Sequence, residues 1–220
     1  MEFLVLLLSL LSSMHANAYT MPSFRDIKPQ TQVMLESQNF GSPIAATTNA
    51  VLTTNAGPTS AAAFSLSSVT AQPDVPRNLT ITPTGTTGDV ESCVITVAGT
   101  NIFGRSISES FTFAADASTA QVGNKAFKTV TSVSWPANCE SGGFAATWII
   151  GVGEKIGLKR CMDYSGDWVY SMVAGVYEST RATVVANATN VESNTADFNG
   201  TMNGSNAFIG RFIQNFRCLP

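Results

Sequence analysis

The chain has 220 residues, of which 44% are apolar and only 12% carry a charge, and its formal net charge is −3. Charged residues make up about a quarter of an ordinary globular chain, so this surface is polar but nearly uncharged. Without a basic block it has no electrostatic footprint for nucleic acid. Low charge also leaves little repulsion between copies, so we expect a protein that assembles.

Residues 1–20 form an apolar leader, "MEFLVLLLSLLSSMHANAYT". Its apolar run and the Ala16-Asn17-Ala18 pattern before Tyr19 are typical of a secretory signal, although Lys and Arg are missing from the first residues. The alternative is a true start at Met21, which makes residues 1–20 a misannotated extension. The run is shorter than the roughly 20 apolar residues that span a bilayer, so we expect no membrane partner.

Residues 21–68 predict an extended arm followed by one or two short strands, with a turn at Gly57-Pro58. Proline and small polar residues dominate the beginning of this segment. Residues 21–50 hold too few large apolar side chains to offset the entropy lost on ordering. We therefore expect that part of the arm to be ordered chiefly by contacts with other subunits.

Residues 69–220 predict one β domain, entered through the proline-bracketed stretch "QPDVPRNLTITPTG". Apolar and polar residues alternate in "NLTIT", "SCVITVAGTN", "SISESFTFAA" and "AFKTVTSVSW". Such alternation is typical of half-buried antiparallel strands. "GTNIFGRS", residues 99–106, predicts a hairpin connection, and residues 116–125 predict a longer loop.

The last third continues this pattern. "GFAATWIIGVGEKIGL" predicts a strand that ends in a glycine-rich turn, and "NTADFNGTMNGSN" predicts a loop. Three further strands are predicted in "DWVYSMVAGVYES", "ATVVANATNV" and "AFIGRFIQNF". No segment shows a capped helical pattern. The predicted fold class is all-β, an antiparallel β-sandwich or jelly-roll-like barrel with an extended N-terminal arm.

Several of these stretches, in unchanged order over roughly residues 69–210, resemble a pattern in tailed-bacteriophage virion proteins. They are the "QPDVPRNLTIT" entry, the "V-x-G-T-[DN]-x-x-G" hairpin, the "I-x-E-x-F" and "K-A-F-x-T-V-T-S-V" strands, and a continuation through "IIGVGEKIGL" and "ATVVANATNVESNTADFNGTMNG". The apolar N-terminus and the "FIQNFRCLP" end depart from that pattern. The resemblance implies a non-enzymatic structural protein of the phage particle, a capsid decoration or cement protein first and a tail component second.

The partners that the resemblance implies are the major capsid protein and further copies of this chain, as a homo-oligomer that is most simply a trimer on the phage head. We expect no cofactor and no nucleic acid. The alternative from another class is a secreted β-sandwich module, such as an adhesin or a carbohydrate binder. It would use residues 1–18 as a cleaved signal peptide and would be extracellular.

Residues with catalytic chemistry are sparse. The one histidine, His15, lies in the leader, so we expect no histidine-based triad or metal site in the β domain. Glu154, Asp163 and Asp167 could supply a glycosidase-type carboxylate pair, but we interpret them as solvated turn residues. "DYSGD" lacks the spacing of a calcium loop, and "GVGEKIG" lacks the Lys-Ser/Thr and the helix of a phosphate loop. We predict no catalytic, cofactor-binding or metal-binding residues.

Three other residue types have two interpretations each. Cys93 is predicted to be a small buried apolar residue, and disulfide pairing stays open for Cys139, Cys161 and Cys218. Four glycosylation sequons, at Asn78, Asn187, Asn199 and Asn203, are interpreted as strand-entry and turn residues. Trp135, Trp148 and Trp168 are predicted to be buried in a core or an interface, with sugar stacking as the alternative.

Overall fold

The structure is a computed structural model that describes residues 34–53, 64–67, 69–85, 88–137, 139–140 and 146–214. Within these residues the chain forms strands, two short 3₁₀ turns and no α-helix. The strands are β1 Leu35–Gly41, β2 Thr47–Leu52, β3 Phe64–Leu66, β4 Arg77–Thr84, β5 Cys93–Thr100, β6 Ser106–Phe113, β7 Gln121–Val122, β8 Thr129–Trp135, β9 Thr147–Gly157, β10 Trp168–Val173, β11 Val176–Tyr177, β12 Thr183–Val185, β13 Thr195–Asp197 and β14 Phe208–Ile213. The predicted all-β class is confirmed.

The strands form three antiparallel sheets. Sheet A has the order β1-β14-β10-β11, and sheet C has the order β3-β8-β5-β6. Sheet B has the order β12-β13-β9-β4-β7, and β2 also pairs with β9. The long strand β9 is central, because it pairs with β4, β2 and β13 along its length. The antiparallel sandwich is built around it.

The first core lies between sheet C and the β2, β4 and β9 strands of sheet B. The alternation predicted for β5 is confirmed, since Cys93, Ile95 and Val97 are buried while Val94 is exposed. Trp148, at the start of β9, packs edge-on against Phe113 with ring centroids 5.0 Å apart. Two-sided closure by sheets removes most of this apolar surface from water.

The second core lies between sheet A and the other end of sheet B. Its centre is a cluster of buried aromatic side chains, Phe40, Trp168, Phe198, Phe208 and Phe212. Trp168 stacks on Phe212 with ring centroids 5.7 Å apart, and Phe198 meets Phe40, Trp168 and Phe208 edge-on. Ile156 and Leu158, at the end of β9 and just after it, complete this core. The strand β9 therefore contributes to both cores.

The predicted glycine-rich turn is wrong, because β9 runs without interruption through Gly157. Its glycines are sites of close approach instead. A Cβ on Gly151 would lie 1.9 Å from the backbone oxygen of Thr47 in β2, and one on Gly153 would lie 2.4 Å from the Asn78 side chain. Glycine is needed at these positions because neighbouring atoms occupy the space of a side chain.

Three other boundaries differ from the sequence prediction. The loop predicted at residues 116–125 contains β7, and the loop predicted around "NTADFNG" contains β13. The stretch "DWVYSMVAGVYES" is not one strand but the β10–β11 hairpin. It turns through Ala174 and Gly175, which both have positive φ. Strands of two or three residues carry too few positions for a period of two to be visible.

The described part of the predicted arm pairs within this chain. β1 pairs with β14, and β2 pairs with β9. The Gln38 side chain, buried in β1, also donates to the Gly157 oxygen (3.2 Å) and accepts from the Lys159 N–H (2.9 Å). Residues 1–33 and the turn at Gly57-Pro58 lie outside the described residues.

Cys93 is buried as predicted, but the prediction that it is only a small apolar residue is wrong. Cys93 forms a disulfide with Cys139, with Cα atoms 5.0 Å apart. The two residues meet because β5 and the chain after β8 come together at the end of the first core, where Glu91 N–H donates to the Cys139 oxygen (3.0 Å). Cys161 is also disulfide-bonded, and Cys218 lies outside the described residues.

Candidate functional site

The three carboxylates singled out in the sequence do not form one site. Glu154 lies exposed on β9, whereas Asp163 and Asp167 lie in the segment before β10. Asp167 accepts the Tyr164 N–H (3.0 Å) and so fixes the local 3₁₀ turn. The acidic residue that does share a cavity with Glu154 is Asp197 of β13. It was missed because β13 was assigned to a loop.

The cavity around Glu154 and Asp197 is an open cleft of about 300 Å³ on sheet B, also lined by Lys155, Thr47 and Thr80. Burial raises the pKa of Asp197, the charge of Glu154 raises it further, and Lys155 opposes both effects. The Lys155 Nζ donates to Asn124 Oδ1 (2.8 Å). Within the described residues no group of three or more His, Cys, Asp or Glu is placed to hold a metal ion. The cleft therefore brings together two carboxyl groups and one lysine.

Asp74 and Arg77, in the proline-bracketed stretch, form a clasp around Ile44. Arg77 is fully buried, and it donates from Nε to the Gly153 oxygen and from Nη1 to the Ile44 oxygen, both at 2.8 Å. Asp74 accepts the Ile44 N–H (2.8 Å) and lies 3.3 Å from the guanidinium. Burial lowers the pKa of Arg77, and the charge of Asp74 opposes this. The clasp fixes the chain between β1 and β2 onto sheet B.

The hairpin motif is also structural. Asn101 accepts the backbone N–H groups of Phe103 (3.0 Å) and Arg105 (3.1 Å), and Gly104 has φ 78°. The predicted hairpin at residues 99–106 is confirmed. The Asn101 Nδ2 also donates to Glu192 Oε2 (3.3 Å). This bond links the β5–β6 turn to the 3₁₀ turn before β13.

The "I-x-E-x-F" and "K-A-F" motifs contact each other. Glu109 of β6 accepts the Asn124 N–H (2.6 Å) and the Lys125 N–H (3.3 Å). In return Lys125 Nζ donates to the Ser108 oxygen (2.7 Å) on the edge strand of sheet C. A lysine placed on an edge strand hinders pairing with another chain. The edge of β6 is thus partly closed.

The tryptophans and sequons are structural as predicted. Trp135, Trp148 and Trp168 are at most 1% exposed, which confirms their predicted burial. Asn78 is fully buried and donates to the Gly123 oxygen (3.1 Å). The other sequon asparagines hold bends: Asn187 accepts the Thr189 N–H, Asn199 donates to the Thr180 and Arg181 oxygens, and Asn203 accepts the Ser205 N–H.

The outer face of sheet A, the side away from the second core, is an apolar surface that the strand register defines. Tyr170 pairs with Arg211, and Arg211 pairs with Ser37, so these side chains lie on one face. The same face carries nine side chains in total: Leu35, Ser37 and Asn39 of β1, Ile209, Arg211 and Ile213 of β14, Tyr170 and Met172 of β10, and Tyr177 of β11. Six of the nine are large and apolar or aromatic.

Two of the six large side chains on this face are exposed, and the other four are half-buried. Leu35 is 44% exposed and Tyr177 is 63% exposed. Tyr170 and Tyr177 meet edge-on with centroids 5.0 Å apart, and the Arg211 guanidinium lies 6.0 Å above the Tyr170 ring. Tyrosine, methionine and arginine are enriched in protein interfaces, where most other charged residues are depleted. We therefore take the outer face of sheet A as the candidate contact site.

No helix within the described residues is long and apolar enough to cross a membrane. Neither a family model, nor a curated protein, nor a solved structure matches this chain.

Proposed function

We propose that this protein is a structural component of a tailed-phage particle, and specifically a decoration or cement protein of the head. It acts through contact area between subunits, with the major capsid protein and further copies of itself as partners. The observation that carries the contact role is the exposed outer face of sheet A. The assignment to a phage head rests on the ordered motif series alone.

The contacts of the motif residues support a shared framework with the proteins that the motifs resemble. Arg77, Asn101 and Glu109 each hold a connecting segment by hydrogen bonds to its backbone. Motifs of this kind specify where strands and loops lie. The side chains on the sheet faces remain free to vary. A decoration protein would contact the capsid through such a face.

The chemistry of the outer face suits a lasting contact. Large apolar and aromatic side chains on a sheet give up water over a broad area on binding. Arg211, the only charged side chain among the nine, can add direction through a carboxylate on the partner. A disulfide-linked core is compatible with an exterior position, since disulfides persist on virion surfaces.

The test is mass spectrometry of purified virions. A head decoration protein should be present at a copy number comparable to the major capsid protein, and a mild chaotrope should release it before the shell comes apart. Detection at a few copies per particle would move the protein to the tail or to a vertex. Absence from virions would refute the proposal.

A second candidate, a secreted β-sandwich adhesin or carbohydrate-binding module, is favoured by the disulfides. The Cys93–Cys139 bond and the bonded Cys161 are typical of a chain that folds in an oxidising compartment. N-terminal sequencing of the protein from the producing cells separates the candidates. A chain that begins at Tyr19 in the culture medium supports the secreted module. A chain that begins at Met21 or Pro22 and purifies with particles supports the phage protein.

A further inference from the structure

The long strand β9 is irregular where it lines the cleft on sheet B. On β4 one residue separates Arg77 from Leu79, whereas on β9 three residues separate their partners, Ile156 and Val152. Such a bulge interrupts the alternation by which neighbouring side chains of a strand point to opposite faces. The consecutive residues 152–155 all line the cleft. The bulge therefore gathers at one cavity side chains that a regular strand would divide between two faces.

Buried polar contacts hold this bulge in place. Asn78 is fully buried, and its Oδ1 accepts the Lys155 N–H (3.0 Å) while its Nδ2 donates to the Gly123 oxygen (3.1 Å). Glycine is needed at Gly153, since a Cβ there would lie 2.4 Å from the Asn78 amide nitrogen. Bulges are frequent beside functional sites because they redirect a side chain. The cleft is therefore built into the central strand of sheet B.

The cleft presents two carboxylates that no other group of the described chain engages. Among the described residues, neither Glu154 nor Asp197 accepts a hydrogen bond or forms an ion pair. Lys155, which pairs with Asp197 across β9 and β13, donates its Nζ to Asn124 Oδ1 instead (2.8 Å). Burial and then the charge of Glu154 raise the pKa of Asp197, and a cation beside both groups would offset this repulsion. The two carboxylates are therefore available to a cation from outside the chain.

The other walls of the cleft indicate the kind of cation. Val122, Val152 and Ala46 give it an aliphatic side, and none of the described residues that line it is aromatic, so a stacked sugar is not favoured. Calcium takes about six to eight oxygen ligands, more than two carboxylates provide. An ammonium or guanidinium group needs fewer acceptors, and an aliphatic stem suits the apolar side. The volume of about 300 Å³ is at the lower end of the range for small-molecule sites, which favours a small group.

We propose that this cleft binds an ammonium or guanidinium group carried on a short aliphatic stem. The head group lies between the carboxylates of Glu154 and Asp197, and the stem lies along Val122 and Val152. Two sources supply this chemistry, a lysine or arginine side chain of a partner protein and a free aliphatic diamine. The site is on sheet B and uses no residue of the outer face of sheet A, so it does not depend on the proposed function.

The first experiment is saturation-transfer difference NMR of the full chain at pH 7, with Nα-acetyl-lysine amide or 1,4-diaminobutane as the probe. The method follows the signals of the small molecule, so it tolerates assembly of the protein. We expect saturable binding with a dissociation constant of about 1 mM or below. Nα-acetyl-norleucine amide, which has a similar stem without the ammonium group, should not compete with either amine.

The two amines distinguish the sources. A lysine probe that binds at least as tightly as the diamine assigns the cleft to a protein side chain, and tighter binding of the diamine assigns it to a free amine. Both results support the proposal. The proposal is overturned if neither amine saturates up to about 20 mM, if the norleucine probe competes equally, or if calcium chloride displaces the amines more effectively than sodium chloride of the same ionic strength.

The second experiment locates the site with variants. Glu154→Gln and Asp197→Asn should each weaken binding of the amine that binds the parent at least about fivefold, because each removes a charged acceptor. Asp163→Asn, the same change at an exposed carboxylate outside the cleft, should change it less than about twofold. Lys155→Met should instead tighten binding about two- to threefold, since it removes a like charge beside the ligand.

Circular dichroism of each variant verifies the fold, and the exposed position of Glu154 makes Glu154→Gln the variant that should keep the melting temperature of the parent. A Glu154→Gln variant that binds the amine like the parent would overturn the proposal. Weaker binding in Lys155→Met would also overturn it, because a cation site must gain from the loss of a neighbouring positive charge.

Discussion

The two cores of this protein are closed in different ways. The first core has a sheet on each side, a disulfide at one end and the Glu109–Lys125 contact along the free edge of β6. The second core is an aromatic cluster under short strands, secured by buried polar side chains such as Arg77 and Gln38. Its covering sheet exposes apolar residues on the opposite face. The sheets around the first core are therefore tied together at their ends and edges, whereas the sheet over the second core presents apolar side chains to solvent.

The largest expected effect, equalled only by the loss of a core aromatic side chain, is at the clasp that fixes the chain between β1 and β2 onto sheet B. Arg77→Met should lower the free energy of unfolding by about 3–5 kcal/mol, because it leaves Asp74 and two backbone oxygens without their buried donor. Urea denaturation followed by tryptophan fluorescence measures this. Arg105→Met, at an exposed position, should change it by less than about 0.5 kcal/mol. Equal effects at both positions would contradict a structural role for the clasp.

A smaller effect is expected from removing the disulfide of the first core. The double variant Cys93→Ala with Cys139→Ala should lose about 2–4 kcal/mol of stability, since the bond closes a long loop in the unfolded chain. Hydrogen exchange should quicken in β5, β6 and β8 more than in β10 and β14. Uniform quickening would show that the two cores do not differ in how they are closed.

Among the described carboxyl groups, Glu140 beside the first core and Asp197 beside the second have a raised pKa. Both should make the stability of the protein depend on pH, with smaller effects than those above. Burial and then the charge of Asp89 raise the pKa of Glu140, against the opposing indole of Trp148. Because the unfolded carboxyl group ionises at a lower pH than the folded one, stability falls as the pH rises from the unfolded toward the folded pKa.

Glu140→Gln beside the first core and Asp197→Asn beside the second should therefore each be more stable than the parent at pH 7. The advantage should shrink as the pH falls through the unfolded pKa values of about 3.9 for Asp and 4.3 for Glu, and it should vanish below about pH 3, where the parent's groups are protonated in both states. Thermal melts between pH 3 and pH 8 measure it. An advantage that grows toward low pH would show that the sign is wrong.

The smallest effect on stability is expected on the outer face of sheet A. Tyr177→Ser should change the free energy of unfolding by less than about 0.5 kcal/mol, because the side chain is largely exposed. Phe212→Ala, on the opposite face of the same sheet, should cost about 3–5 kcal/mol. The contrast identifies which face belongs to the core. A large loss in Tyr177→Ser would mean that the outer face is part of the fold and not a contact site.

Much of the first core was predictable from sequence and less of the second. β4, β5, β6 and β8 alternate regularly because one face of each meets the core. In β14 the stretch "FIGRFI" has large apolar side chains on both faces, Phe208 and Phe212 on one and Ile209 and Ile213 on the other, so no alternation is visible. β7 and β13 are too short to show a period. Gly151 and Gly153 are in close contact with β2 and β4, which are far away in sequence. The sequence does not show these contacts, so the turn propensity of glycine led to the wrong prediction of a turn.

The cleft and the cysteine pairing were missed for the same reason. Asp197 meets Glu154 only because β13 pairs with β9, and Cys93 meets Cys139 only because two strand ends converge. Alternation gives the direction of a side chain along one strand, but it does not give which strands are neighbours. The burial of the tryptophans was predictable, since large aromatic residues within strands usually enter a core.

The position of β9 has a consequence for how the protein is made. Its pairing partners come from residues 47–52, 77–84 and 195–197, so its hydrogen bonding is complete only when nearly the whole chain has left the ribosome. Folding that depends on such distant pairings is slow, on a timescale of about milliseconds to seconds. Until β13 arrives, the end of β9 from Lys155 to Gly157 presents an unpaired edge on which chains can aggregate. A chain shortened before Asp197 should therefore accumulate as insoluble material, and yield should improve when synthesis is slowed by lower temperature.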